Sequence, residues 1–173
     1  MSAIDHSARC IIRRVLTLAV SLTLTSLAVA LEADKDQNVI YSSSGNSTSR
    51  VENNTRIITI EGDVRVTQGT LQITGDRAVF ERVLDSDSIT RITISGSPAT
   101  YQQQLETDGA VVMGDSSTIL YYSEGEPVIE LVGSANLKQG NDILSCVSIK
   151  YFTDSGITHY TGPCSGVLTR QTD

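Results

Sequence analysis

The segment Gly62–Phe80 (GDVRVTQGTLQITGDRAVF) returns in altered form at Gly133–Tyr151 (GSANLKQGNDILSCVSIKY). A shorter relative, Gly96-Ser97-Pro98-Ala99-Thr100-Tyr101-Gln102-Gln103, lies between them. Each full copy is a pair of alternating runs about a Gln-Gly dipeptide, which describes a hairpin. One hairpin cannot bury its apolar face alone, so neighbouring copies must cover each other. A chain built in this way works through an extended surface or interior rather than through one catalytic point.

The alternation extends beyond the copies. Along Ile57–Thr67, Ile58, Ile60, Val64 and Val66 share one face, with Arg65 and Thr67 on the other. Leu71, Ile73, Ala78 and Phe80 carry the pattern on. It recurs at Ile92 and Ile94, at Ile119 and Tyr121, at Ile129, Leu131, Ala135 and Leu137, and at Ile149 and Tyr151. Gln68-Gly69 and Gln139-Gly140 sit where two-residue turns are expected, glycine supplying the positive φ. Further turn signals fall at Leu84–Ser88, Thr107–Gly109, Glu124–Pro127 and Asp154–Gly156. Ser42–Asn54 is polar and reads as a loop or weak hairpin. The first strand is expected at Val39–Tyr41 and the last at Val167–Arg170. Short, regularly spaced strands of this kind predict an all-β sandwich, roll or barrel.

The N-terminus reads as an address. Arg9, Arg13 and Arg14 precede an apolar run from Val15 to Val29, and Ala28-Val29-Ala30 fits a small-x-small cleavage site. The run is short for a spanning helix. We expect a signal peptide over residues 1–30 and one domain over residues 31–173; an uncleaved membrane anchor is the alternative. Cleavage removes Arg9, Arg13, Arg14 and Asp5. It leaves 143 residues with 10 Lys and Arg against 19 Asp and Glu, a formal charge of −9. No basic block survives, which argues against nucleic acid as a partner and against an anionic membrane face. With no Trp and few Phe or Tyr, the core must be mostly Ile, Val and Leu.

Cys146 and Cys164 remain after cleavage, an even count in an oxidising compartment. If Asp154-Ser155-Gly156 is a three-residue loop, Thr153 pairs with Ile157 and the register sets Cys146 directly opposite Cys164. Directly opposed side chains are close enough to bond. A cross-strand disulfide is expected, with two buried free thiols as the alternative.

Signs of catalysis are missing. The expected mature chain holds one histidine, His159, read as a strand surface residue rather than a base or ligand. No nucleophile elbow, phosphate loop or dinucleotide fingerprint occurs. Asp76, Asp85 and Asp87 lack calcium-loop spacing and read as solvated turn carboxylates. The sequence therefore predicts no catalytic residues, no metal ligands and no cofactor.

Taken in order, the segments Asp36-Gln37-Asn38-Val39, Gly62–Gly69 with Leu71, Ile73 and Asp76, Pro98–Gln103, Gly133–Gln139 and Ile149-Lys150-Tyr151 resemble the OstA-like domains of lipopolysaccharide transport. The resemblance runs from about Asp36 to Tyr151. Cys146 departs from it, standing where Gly or Asp is common, and the segment after Tyr151 does not match. The resemblance implies a twisted, open-ended β-jellyroll of repeated antiparallel hairpins whose apolar interior holds the acyl chains of lipid A. It implies a periplasmic protein that carries lipopolysaccharide from the inner to the outer membrane. The implied partners are an inner-membrane-anchored jellyroll protein, the N-terminal jellyroll of the outer-membrane translocon, and further copies of the chain stacked head to tail.

Elementary physics constrains that picture. Lipopolysaccharide is anionic and so is the domain, so long-range charge opposes binding. Acyl chains must then hold the ligand, each CH₂ contributing about 0.8 kcal/mol. The lining expected to face them is Ile58, Ile60, Val64, Val66, Leu71, Ile73, Phe80, Ile92, Ile94, Ile119, Tyr121, Ile129, Leu131, Leu137, Ile149 and Tyr151. Any β-sandwich has such a face as its core, so a structural or adhesive β-repeat protein is the rival, and the membrane-anchored jellyroll of the same pathway is another.

Overall fold

The computed structural model describes residue 34 and residues 36–86, 88–105 and 109–169. The expected signal peptide, Asp87 and Arg170 lie outside the described residues. Among the described residues, ten strands form one antiparallel sheet: β1 Ile40–Ser42, β2 Ser47–Glu52, β3 Thr55–Gln68, β4 Leu71–Val83, β5 Ile89–Gln104, β6 Val111–Tyr122, β7 Val128–Gln139, β8 Asp142–Phe152, β9 Thr158–Thr161 and β10 Ser165–Val167. Strands β3 to β8 follow one another as a meander. β1 and β2 pair with successive halves of β3 at one edge, and β9 and β10 pair with halves of β8 at the other. The edges do not pair with each other, so the sheet is not closed. This is the open, all-β jellyroll the sequence led us to expect.

The repeat has a structural meaning beyond the hairpin. Every long strand loses register midway: at Glu61/Val64 in β3, Thr74/Arg77 in β4, Ser95/Ala99 in β5, Asp115/Thr118 in β6 and Val132/Ala135 in β7. The opening Gly-x of each copy makes the break, with Gly62 and Asp63 at φ 79° and 43° and Gly133 and Ser134 at 80° and 52°. Bulges of this kind bend a strand and sharpen its twist. Aligned across the sheet, they crease it into two half-sheets that fold over a common core. Side chains cross the fold. The Tyr41 ring, in the half-sheet of Val66, lies 5.2 Å from the Phe80 ring in the other.

Several expectations need correcting. Gln68 pairs with Leu71 and Gln139 with Asp142, so the two-residue turns are Gly69-Thr70 and Gly140-Asn141, one residue later than expected. The glutamines stay in the ladder, and the glycines take the first turn position at φ 58° and 59°. Of the two readings of Ser42–Asn54, the weak hairpin is what forms. β2 turns into β3 through Asn53-Asn54, both left-handed at φ 48° and 63°. It carries no apolar alternation because all its residues are exposed. The first strand is Ile40–Ser42 rather than Val39–Tyr41, since Val39 packs against the core. The last is Ser165–Val167 rather than Val167–Arg170.

The last hairpin holds two offsets that cancel. Thr153 does not pair with Ile157. Its N–H and hydroxyl donate to the Pro127 carbonyl at 3.0 and 3.2 Å, drawing it out of the ladder. Phe152 donates to Ile157 instead, so the loop is Thr153–Gly156 and the register moves by one. Between Ser148↔Thr161 and Ser145↔Ser165 the outer strand carries one extra residue, at the Gly162–Cys164 break. The expected register returns there, and Cys146 and Cys164 form a disulfide with Cα atoms 4.3 Å apart.

Candidate functional site

The interior between the half-sheets is the site the sequence points to. Ile60, Ile94, Ile119 and Ile149 are fully shielded, and Val64, Val66, Leu71, Ile73, Phe80, Ile92, Ile129 and Leu131 are buried with them in one cluster. Ile58, Tyr121 and Leu137 are partly buried against it, and Tyr151 is also buried. The residues expected to line the interior are therefore buried or partly buried, as the core of any β-sandwich would be. Sequence reasoning passed over Leu105 and Val112, and it did not count Ala78, Ala99, Tyr101 and Ala135 as lining, although all of them belong to the same buried cluster. His159 is exposed, edge-on to Phe152 at 5.3 Å, and Asp85 accepts a hydrogen bond from the Asn54 amide at 2.8 Å. Among the described residues, no group of three His, Cys, Asp or Glu side chains could hold a metal ion.

A polar chain penetrates one half-sheet. The Tyr101 hydroxyl donates to Gln103 Oε1 at 3.0 Å, and Gln103 Nε2 donates to Asp34 Oδ2 at 3.1 Å. The Asp34 carboxylate also accepts the Thr70 N–H at 2.7 Å and the Thr70 hydroxyl. Buried polar groups need such partners.

Burial pushes the Tyr151 phenol from about 10 up to about 12. It also raises Tyr101 well above 10, with Tyr151 and Asp34 adding to the effect. In both cases the fold favours the neutral phenol. That stabilisation is complete below about pH 10 and is lost as pH climbs from there through about 12. We expect the urea midpoint of unfolding to fall across that window and the Tyr151→Phe variant to fall less steeply. A midpoint equally steep in both would show that Tyr151 contributes nothing to the loss.

The two ends of the interior differ. At the β1/β2 end, Tyr41 covers Phe80, which is left 3% exposed. At the β9/β10 end lies an open pocket of about 470 Å³, reached from Leu137 and Leu144 and walled by Thr158, Tyr160, Cys164 and Leu168. Exposed apolar side chains stand at both ends, Ile40 and Val51 at one and Tyr160, Val167 and Leu168 at the other, besides others such as Val111 and Met113 on β6. The outermost strands leave backbone groups unpaired, which is a template for strand addition.

Comparison with known proteins agrees with this architecture. The lipopolysaccharide export system protein LptA of Escherichia coli K12 is 32% identical over 137 residues, covering 79% of this chain and 71% of that protein. LptH of Pseudomonas aeruginosa, an export system protein of the same name class, is 27% identical over 117 residues, covering 68% of this chain and 65% of that one. The crystal structure of LptH, described as the LptA-homologous periplasmic component of the lipopolysaccharide transport device, superposes with a TM-score of 0.69. That match spans 80% of this chain and 99% of LptH at 20% identity, a likeness of fold. Residues 43–157 match the family described as LptA/(LptD N-terminal domain) LPS transport protein, and the chain belongs to that family.

Proposed function

We propose that this chain is a periplasmic bridge protein that carries lipopolysaccharide from the inner to the outer membrane. The signal over residues 1–30 delivers it and is cleaved, and residues 31–173 form the working domain. The observation that supports the reading most strongly is the continuous apolar interior of an unclosed sheet, opening at the β9/β10 end through a pocket of about 470 Å³. Lipid A acyl chains lie in that interior against the inward residues. The sugars and phosphates stay at the open seam, away from a domain of like charge. Hydrophobic transfer supplies the affinity, since several acyl chains outweigh a screened repulsion. The protein binds and passes its ligand without transforming it.

The exposed edges at both ends support a stack. Copies join head to tail by strand addition, with the inner-membrane-anchored jellyroll protein at one end and the N-terminal jellyroll of the outer-membrane translocon at the other. In-cell photo-crosslinking scanned along β6 and β7 tests the lipid reading. Benzophenone at Tyr121 and Leu137 should capture lipopolysaccharide, whereas the outward-facing Leu120, Asn136 and Lys138 should not. Equal labelling of both faces, or none on either, would favour the structural β-repeat protein.

A further inference from the structure

The ends of the interior are closed to different degrees, and the closure at one end is the work of a single segment. Asp34 is only 5% exposed although it lies outside the sheet. Its carboxylate is clasped by the Thr70 N–H and hydroxyl and by Gln103 Nε2. The turn is shaped for it: a Cβ on Gly69 would stand 2.1 Å from Asp34 Oδ1, so a side chain there would expel the carboxylate. From this anchor the chain runs over the gap between the half-sheets. Gln68 Nε2 donates to the Gln37 carbonyl at 3.1 Å, and Val39 packs on the core. Tyr41 then reaches over Phe80 of the opposite half-sheet. The residues of β2, Val51 included, are all exposed and cover nothing at this mouth, so Tyr41 supplies the apolar cover.

We propose that Asp34 and residues 36–42 form a lid on the β1/β2 mouth, buckled by Asp34 and tipped by Tyr41, and that they decide when acyl chains reach that end of the interior. The inference deepens the lipid-carrying reading and rests on it. Lifting it breaks the three hydrogen bonds to the buried Asp34 carboxylate and the short β1–β3 ladder from Ile40 to Ser42, but it leaves the pairings from β3 to β8 intact, and its tip, Tyr41, is half exposed. Among the described residues, no comparable segment lies over the β9/β10 mouth.

Photo-crosslinking to purified lipopolysaccharide separates the possibilities. Benzophenone at Ile58, which pairs with Phe80 beneath the lid, reports the gated mouth. Benzophenone at Leu144 reports the open one. Asp34→Ala and Tyr41→Ala should each raise the Ile58 adduct about fivefold, the ratio that roughly 1 kcal/mol of lost closure gives. Neither should change the Leu144 adduct, and Tyr41→Phe should behave as the unmodified chain. Unchanged Ile58 yields with Leu144 still labelled would overturn the lid and leave the lipid reading standing. No adduct at either position would overturn both. Amide hydrogen exchange of the unmutated protein adds a test free of folding defects. Residues 36–42 should exchange faster than β4 and β5, and faster still with lipopolysaccharide present. Exchange of the segment only through global unfolding would refute the lid.

Discussion

Reduction of the Cys146–Cys164 disulfide is expected to lower the unfolding midpoint by about 10 °C, because closing a loop of this length contributes roughly 3 kcal/mol and the domain is of moderate size. The effect is large because of where the bond lies. β9 and β10 are four and three residues long, mostly exposed, and held to one side only. Between them the ladder breaks at Gly162–Cys164, so neither strand helps the other to stay docked. The disulfide spans that break and ties the outermost strand to Cys146, which is 6% exposed and part of the core. The bond also walls the open mouth, so its loss should disturb docking as well as stability. Scanning calorimetry of the oxidised chain, the reduced chain and the Cys146→Ser/Cys164→Ser variant measures the first effect. Size-exclusion chromatography of the same samples measures the second, with smaller assemblies expected without the bond. Identical midpoints with and without reductant would mean that the ladder alone holds the edge.

Leu131→Ala is expected to cost about 2–5 kcal/mol, the range for deleting a buried leucine side chain. Leu131 is 1% exposed and reaches across the crease, so that a Cβ on Gly114 would lie 2.7 Å from its Cδ1. Gly114 stands opposite Tyr101 and Leu137 in one half-sheet, whereas Leu131 stands opposite Ile119 in the other. The pair is therefore a direct probe of how the halves pack. Gly114→Ala alone should destabilise by about 1–3 kcal/mol through overpacking. In the Leu131→Ala background the same methyl enters vacated space, so the double variant should lose about 1 kcal/mol less than the two singles together. Additive losses in urea unfolding would mean that the two residues do not meet across the fold.

These outcomes bear on how much of the molecule could be read without coordinates. The inward residues from Ile58 to Tyr151 were legible because a strand with one buried face must alternate, and alternation is a property of neighbours in sequence. The disulfide was legible for a weaker reason. Its register was counted from a turn that proved one residue short, and the bulge at Gly162–Cys164 restored what Thr153 had displaced. Neither offset could be seen beforehand. Thr153 leaves the ladder only because the Pro127 carbonyl waits beside it, 26 residues away in sequence. β2 was faint because an edge strand with no buried face writes no pattern into its residues.

The repeat marks the same boundary. Its copies determined that the chain is all-β, that one face of each strand is apolar, and that the unit is a hairpin. Those are consequences of local order, in which each residue constrains the next. The opening Gly-Asp and Gly-Ser of the copies look like turn residues in sequence but crease a continuous strand in the structure. Whether a left-handed pair ends a strand or bends it depends on whether the partner strand runs on past it. The clasp on Asp34 and the packing of Tyr41 over Phe80 were likewise decided only by the tertiary fold, because each joins groups far apart in the chain that folding alone brings together.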